Sequence, residues 1–157
     1  MSQALCAWAR ALAVAGCVLA LDQIAKAIVV ASLGVGGSEN VFLGLDLTHV
    51  RNTGVAFGAL AGGGAAIVAL VVVAMTVLGV YFARRTSTPL LWLPVGAIFG
   101  GALGNLADRA RDGTVIDFID PIAWPAFNLA DTAVVLGVLG VFYVMDGDST
   151  PSEPEPA

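Results

Sequence analysis

The sequence predicts a mainly α, polytopic membrane protein in which four transmembrane helices carry a small extracytoplasmic β element. Two observations predict it. Hydrophobic residues make up 58% of the 157-residue chain and charged residues only 12%, against roughly 45–50% and about 25% in ordinary globular domains. The apolar residues also come as long runs, and four of these approach or exceed the ~20 residues needed to cross a bilayer. By length the chain is one domain. Residues 1–145 are expected to form the membrane-embedded unit, and residues 146–157 an acidic tail containing Pro and Ser, with the composition of a disordered segment. Asp146, Asp148, Glu153 and Glu155 lie in that tail, so most of the net charge of -5 belongs to it. Nothing in the charge pattern suggests nucleic-acid binding.

The first span is Ala11–Leu33. Val14-Ala15-Gly16-Cys17 has the form of a lipoprotein cleavage box, but a cleaved leader is followed by polar chain. Here the apolar run continues from Val18 through Leu33, interrupted by Asp22, Gln23 and Lys26, so the helix is expected to be retained. Asp22 and Lys26 are four residues apart and share a face. Two roles remain open for them, a self-neutralising ion pair at a helix contact or the lining of a polar cavity. Cys6 and Cys17 would lie about 16 Å apart on one helix, too far to bridge within one chain.

Gly34–Gly58 is too polar to span. After the breaker Gly34-Val35-Gly36-Gly37, the stretch Val41–Val50 alternates, with Leu43, Leu45 and Leu47 on one face and Asp46 and Thr48 on the other. That is the pattern of a half-buried strand. Arg51-Asn52-Thr53-Gly54-Val55-Ala56-Phe57-Gly58 then leads into the second span. Asn52 and Gly54 suit a turn, and Asn52 equally suits donation of its amide to an extended peptide.

The second span, Leu60–Ala83, is cleanly apolar and ends at Arg84-Arg85. The third, Leu90–Ala107, is short, and Gly100, Gly101 and Gly104 give it a small-residue face for close packing. At its end Asn105, Asp108 and Arg109 fall at i, i+3 and i+4, on one face. Asp108 is either a solvent partner of Arg109 or Arg111, or part of a site in which Arg109 offers a fork of donors. Gly113–Phe118 is a second strand-like stretch and contains Asp117. Pro121, Trp124 and Pro125 follow, and the Trp suits a membrane interface. The fourth span is Ala126–Met145. Near its start Asn128 and Asp131 share a face, where they suit either an N-cap with a first-turn acid or a site.

Four spans place both termini on one side. If that side is cytoplasmic, Arg10, Arg84 and Arg85 lie inside and Arg51, Arg109 and Arg111 outside, so the positive-inside count is even. The very short Arg84-Arg85 loop, free of acids, favours the inside for itself and for both termini.

A carboxylate on a membrane segment is expensive and points to function. The only histidine is His49, the cysteines lie far from the polar ends, and no Ser-His pair, H-E-x-x-H or Cys/His metal cluster occurs. For an enzyme this leaves the aspartates, and two carboxylates sharing a site can activate water without metal or cofactor. Two rivals stand beside an enzyme. One is a small transporter or channel whose ion path is lined by Asp22, Lys26, Asp108 and Asp131. The other is a non-enzymatic lipid-binding or assembly subunit.

Together the motifs resemble those of the lipoprotein signal peptidases (signal peptidase II), an aspartyl intramembrane peptidase family. The matching pieces are Asp22-Gln23 with Lys26, Asn52-x-Gly54 with Ala56-Phe57, and Gly100-Gly101 through Gly104-Asn105-x-x-Asp108-Arg109. Val115-x-Asp117-Phe118 and Phe127-Asn128-x-Ala130-Asp131 complete them. They stand in the family's order between about residues 20 and 140.

The resemblance implies a multi-pass aspartic endopeptidase of the bacterial inner (plasma) membrane, acting near the extracytoplasmic surface as a monomer without cofactor or metal. Its substrate would be a prolipoprotein, cleaved before a diacylglyceryl-modified cysteine, and membrane lipid would be its other partner. The resemblance gives Asp117 and Asp131 the catalytic positions. It gives Asp22, Lys26, Asn52, Asn105, Arg109 and Asn128 supporting ones, and Asp108 is a further candidate of the same motif. Only 13 residues separate the two aspartates, so a long outer helix over the site is not expected.

Overall fold

The computed structural model describes residues 2–54 and 64–147. Helix α1 spans Gln3–Ser32, and strands β1 (Ser38–Phe42) and β2 (Leu45–Asn52) follow it. Helices α2 (Gly64–Arg84) and α3 (Trp92–Asp112), strand β3 (Val115–Pro121) and helix α4 (Leu129–Gly147) complete the order. Three of the helices, α1, α2 and α4, are long and apolar enough to cross a membrane. Large apolar side chains such as Leu21, Ile28, Leu136 and Phe142 point outward from them, as lipid-facing helices require.

Helix α1 begins well before the apolar run that announces it. Gln3–Arg10 is rich in good helix formers, and the Ser2 side chain caps it by accepting the Leu5 N–H at 3.3 Å. Helix α3 is the least apolar of the four because it is the most enclosed. It runs between α1 and α4, and its glycines admit both. A Cβ at Gly100 would lie 2.6 Å from the Ala15 carbonyl oxygen of α1. One at Gly104 would lie 2.7 Å from Asp22 Oδ2. These helices therefore approach almost backbone to backbone, as small residues allow.

At one end the bundle is fastened by Ala7, Ala11, Phe82, Leu91 and Val95. There Trp8 meets Phe82 edge-on, with centroids 4.8 Å apart, and α2 packs against α3. At the other end Val29 and Leu33 of α1 pack against Phe118 and Leu47, seating the sheet on the end of that helix. His49 is buried at the same junction, its Nδ1 2.9 Å from the Leu33 carbonyl oxygen.

The sheet is antiparallel, in the order β1-β2-β3. The alternating stretch Val41–Val50 is not one strand. Gly44, at φ 82°, turns the chain between Phe42 and Leu45, which pair with each other. Leu43 therefore sits at a hairpin tip, 91% exposed, instead of on a buried face with Leu45 and Leu47. The second strand-like stretch extends beyond Phe118 to Pro121 and pairs with β2. Trp124 follows in the return to α4 and is exposed. Residues Val55, Ala56, Phe57 and Gly58, the first residues of the second span and the tail from 148 onward lie outside the described residues.

Candidate active site

The site is built where the ends of α1 and α3 meet the start of α4 beneath the sheet. Its lowest layer is charged and almost fully buried. Lys26 Nζ lies 2.8 Å from Asp22 Oδ2, one turn earlier on α1, and 2.7 Å from Asp108 Oδ2 on α3. None of the three side chains is more than 2% exposed. Buried charges survive only when paired and hydrogen-bonded, and the rest of this layer meets that requirement. Asp22 Oδ1 accepts the Ala130 N–H at 2.9 Å, in the first turn of α4. The Gln23 amide donates to Asp108 Oδ1 at 2.9 Å, and the Ile116 N–H approaches Asp108 Oδ2 at 3.4 Å. Asp108 is thus a buried partner of Lys26, not a solvent partner of Arg109 or Arg111.

Above that layer three asparagines hold two carboxylates. Asn105 accepts from Lys26 Nζ at 3.1 Å through its oxygen and donates through Nδ2 to Asp131 Oδ1 at 2.7 Å. Asn128 donates to Asp117 Oδ1 at 2.7 Å, and Asn52 donates to Asp117 Oδ2 at 2.9 Å. The Asn52 amide is oriented by its own oxygen, which accepts the Gly54 N–H at 2.8 Å. Asn128 and Asp131 form a reciprocal cap at the head of α4. Asp131 N–H donates to Asn128 Oδ1 at 2.9 Å, and Asn128 N–H donates to Asp131 Oδ2 at 3.3 Å. The helix-start and site readings of this pair are therefore the same geometry, a capping box turned toward a second carboxylate.

Burial, the largest influence, raises the Asp117 carboxyl above its ordinary value. The Asn52 amide opposes it, the neighbouring Asp131 charge adds to it, and Asn128 and Lys26 oppose it in turn. The balance is upward.

Asp131, Asn105 and Arg109 also line a cavity of about 590 Å³. Its other walls are apolar, formed by residues such as Val71 and Met75 of α2, Ile98 of α3, and Val135 and Phe142 of α4. Arg109 Nη1 donates back to the Asn105 carbonyl at 3.3 Å. Asn105 and Arg109 thus face this cavity while Asp108, between them in sequence, turns to α1. The single face that the spacing implies is divided between two neighbours.

The candidate site residues Asp22, Lys26, Asn52, Asn105, Asp108, Arg109, Asp117, Asn128 and Asp131 join one connected network of hydrogen bonds and ion pairs. Gln23 has a larger part than the sequence suggests, because it touches Asp22, Asp108 and the Gly104 carbonyl and accepts from Arg111 at 2.8 Å. A polar residue beside a buried aspartate on an apolar helix was the available signal.

Residues 14–145 match the family model described as Signal peptidase (SPase) II. The chain belongs to the signal peptidase II family. A lipoprotein signal peptidase of Syntrophomonas wolfei is 44% identical over 133 residues, covering 83% of this chain and 89% of that one. Another, of Halothermothrix orenii, is 41% identical over 124 residues, covering 76% and 83%. A solved bacterial membrane enzyme, determined by the in meso method at 2.3 Å resolution, superposes with a TM-score of 0.80 at 28% identity. It covers 94% of this chain and 93% of its own. As a signal peptidase II, the chain is an aspartic peptidase, and its family and apolar helices place it in a membrane.

Proposed function

We propose that Asp117 and Asp131 form the catalytic dyad of an endopeptidase that cleaves prolipoproteins before a diacylglyceryl-modified cysteine. The observation that carries this reading is Asn128, whose side-chain amide donates to the Asp117 carboxylate and whose backbone N–H donates to the Asp131 carboxylate, in a site closed below by paired charges. Two carboxylates that accept from one asparagine do not both ionise easily, and the pair shares a proton. Burial raises the Asp117 carboxyl, which favours the proton on that side, so Asp117 is the acid in this reading. Asp131, on the cavity wall, is the base in this reading. It takes a proton from water as the water attacks the scissile carbonyl. Asp117 donates a hydrogen bond to the developing oxyanion and then passes its proton to the departing amine.

Asn52, Asn105 and Asn128 hold the two carboxylates, and Lys26 with Asp22 and Asp108 fixes Asn105 from below. Arg109 offers donors to a substrate carbonyl, and the apolar cavity receives the lipid-linked, apolar part of the substrate. In this reading both termini are cytoplasmic and the site lies at the extracytoplasmic surface, away from Arg84 and Arg85. The ion-path alternative is weaker, because Asp22, Lys26 and Asp108 pair with one another in an almost fully buried cluster.

The test is cleavage of a synthetic diacylglyceryl lipopeptide by purified protein in detergent. Asp117→Asn and Asp131→Asn should each abolish cleavage while the protein still elutes as the folded species. Full turnover by either variant refutes the dyad.

A further inference from the structure

The sheet has two faces, and the dyad uses one of them. Period-two alternation along a strand sends Asn52 of β2 toward Asp117. Its neighbour Arg51, paired across the sheet with Ile116, lines a second cavity together with that isoleucine. This groove, of about 310 Å³, lies between the end of α1, the end of α3 and the sheet. Arg111, Gln23 and the buried Lys26 are among its polar lining.

Its charges are not all accounted for. Lys26 is matched by Asp22 and Asp108. Among the described residues the Arg111 side chain makes one hydrogen bond, to Gln23 Oε1 at 2.8 Å, which aims the guanidinium and leaves most of its five donors open to a ligand. Arg51 has no side-chain partner among the described residues. Asp112, the one carboxylate lining the groove, is exposed at its rim and therefore well solvated. Two guanidinium forks facing one small cavity are the donor set that phosphate oxygens fit. The remaining wall is apolar and belongs to a membrane helix, with Val30 of α1 41% exposed beside it.

We propose that this groove holds the phosphodiester headgroup of an anionic membrane phospholipid, bound by Arg51 and Arg111, with the acyl chains running down the Ala27–Val30 side of α1. The volume suits a headgroup and is too small for a folded partner. The site is separate from the dyad, so its test does not depend on cleavage. Through Gln23, which joins Arg111 to Asp108, the bound headgroup would brace the charged layer beneath the active site.

Delipidated full-length protein in detergent is titrated with phosphatidylglycerol and, separately, with inorganic phosphate, and adducts are counted by native mass spectrometry. A single phosphatidylglycerol is expected to bind, at least about tenfold more weakly to Arg51→Gln/Arg111→Gln, in keeping with the loss of two charge-assisted contacts. Arg51→Lys/Arg111→Lys should recover part of that affinity, which excludes misfolding as the cause. Undiminished phosphatidylglycerol binding by the glutamine variant overturns the site. Inorganic phosphate that displaces phosphatidylglycerol at equal concentration overturns the lipid assignment in favour of a free anion.

Discussion

Asn128 and Asp131 cap each other at the head of α4, each accepting the other's backbone N–H through its side chain. The Asn128 side chain has a second duty, because its nitrogen donates to Asp117 at 2.7 Å. One residue thus starts a helix and fixes the spacing of two carboxylates.

Those duties separate by mutation. Asn128→Ser keeps an N-cap oxygen but cannot reach Asp117, so it should retain thermal stability while losing most turnover. Asn128→Ala loses both, with a stability loss of about 1 kcal/mol from the cap alone. Apparent Tm in detergent and kcat on a lipopeptide distinguish the variants, and equal kcat in Asn128→Ser and wild type would remove Asn128 from the site.

Lys26 neutralises two buried carboxylates, so its removal should act on stability before chemistry. Lys26→Met is expected to destabilise the protein by about 3–5 kcal/mol, the cost of an uncompensated buried charge. Adding Asp22→Asn and Asp108→Asn should recover much of that loss. Unfolding of wild type, Lys26→Met and the triple variant in one detergent measures it. A Lys26→Met protein of normal stability with no turnover would instead give Lys26 a direct part in the reaction.

Gly104 is where α3 passes Asp22. A methyl group there would sit 2.7 Å from Asp22 Oδ2, the oxygen that meets Lys26. Gly104→Ala should therefore lower Tm and turnover together, although Ala is the better helix former. A rise in Tm would mean that the carboxylate moves aside freely.

The raised Asp117 carboxyl has a calculable sign. Between its unfolded value near 3.8 and its higher folded value, the folded state binds more protons than the unfolded state. The stability contributed by protonated Asp117 is present below that window and is lost as pH rises through it. Relative to wild type, Asp117→Asn should thus gain stability as pH is raised across the window, as thermal scans at several pH values would reveal. Asn52→Ala removes a donor that holds the carboxyl down, so the alkaline limb of its pH–rate profile should move to higher pH. A limb moving to lower pH would assign the proton to Asp131.

The helices are legible because long apolar runs suit a membrane, and the clustering of the polar residues because charges in such runs are few and costly. What remained hidden was set by neighbours. The spacing of Asn105 and Asp108 states their angular relation on α3, but α3 lies between two helices, and each residue serves a different one. The leucines at 43, 45 and 47 keep their alternation straight through the turn at Gly44, so periodicity alone hides the hairpin. The span Ala11–Leu33 lies almost wholly within α1, whose earlier start at Gln3 escapes a hydropathy pattern that marks membrane depth rather than helix length.

The buried Lys26 has a consequence for how the chain is assembled. Its first partner, Asp22, lies on the same helix, so the part of α1 from Ala11 onward can enter lipid as an electrically neutral segment before any other helix arrives. Asp108 has no such partner on α3 among the described residues and finds its counter-ion only when α3 docks against α1. Chain order therefore matches electrostatic order: the helix that brings its own neutrality is synthesised first, and the one carrying an unmatched carboxylate reaches a membrane where its cation is already waiting.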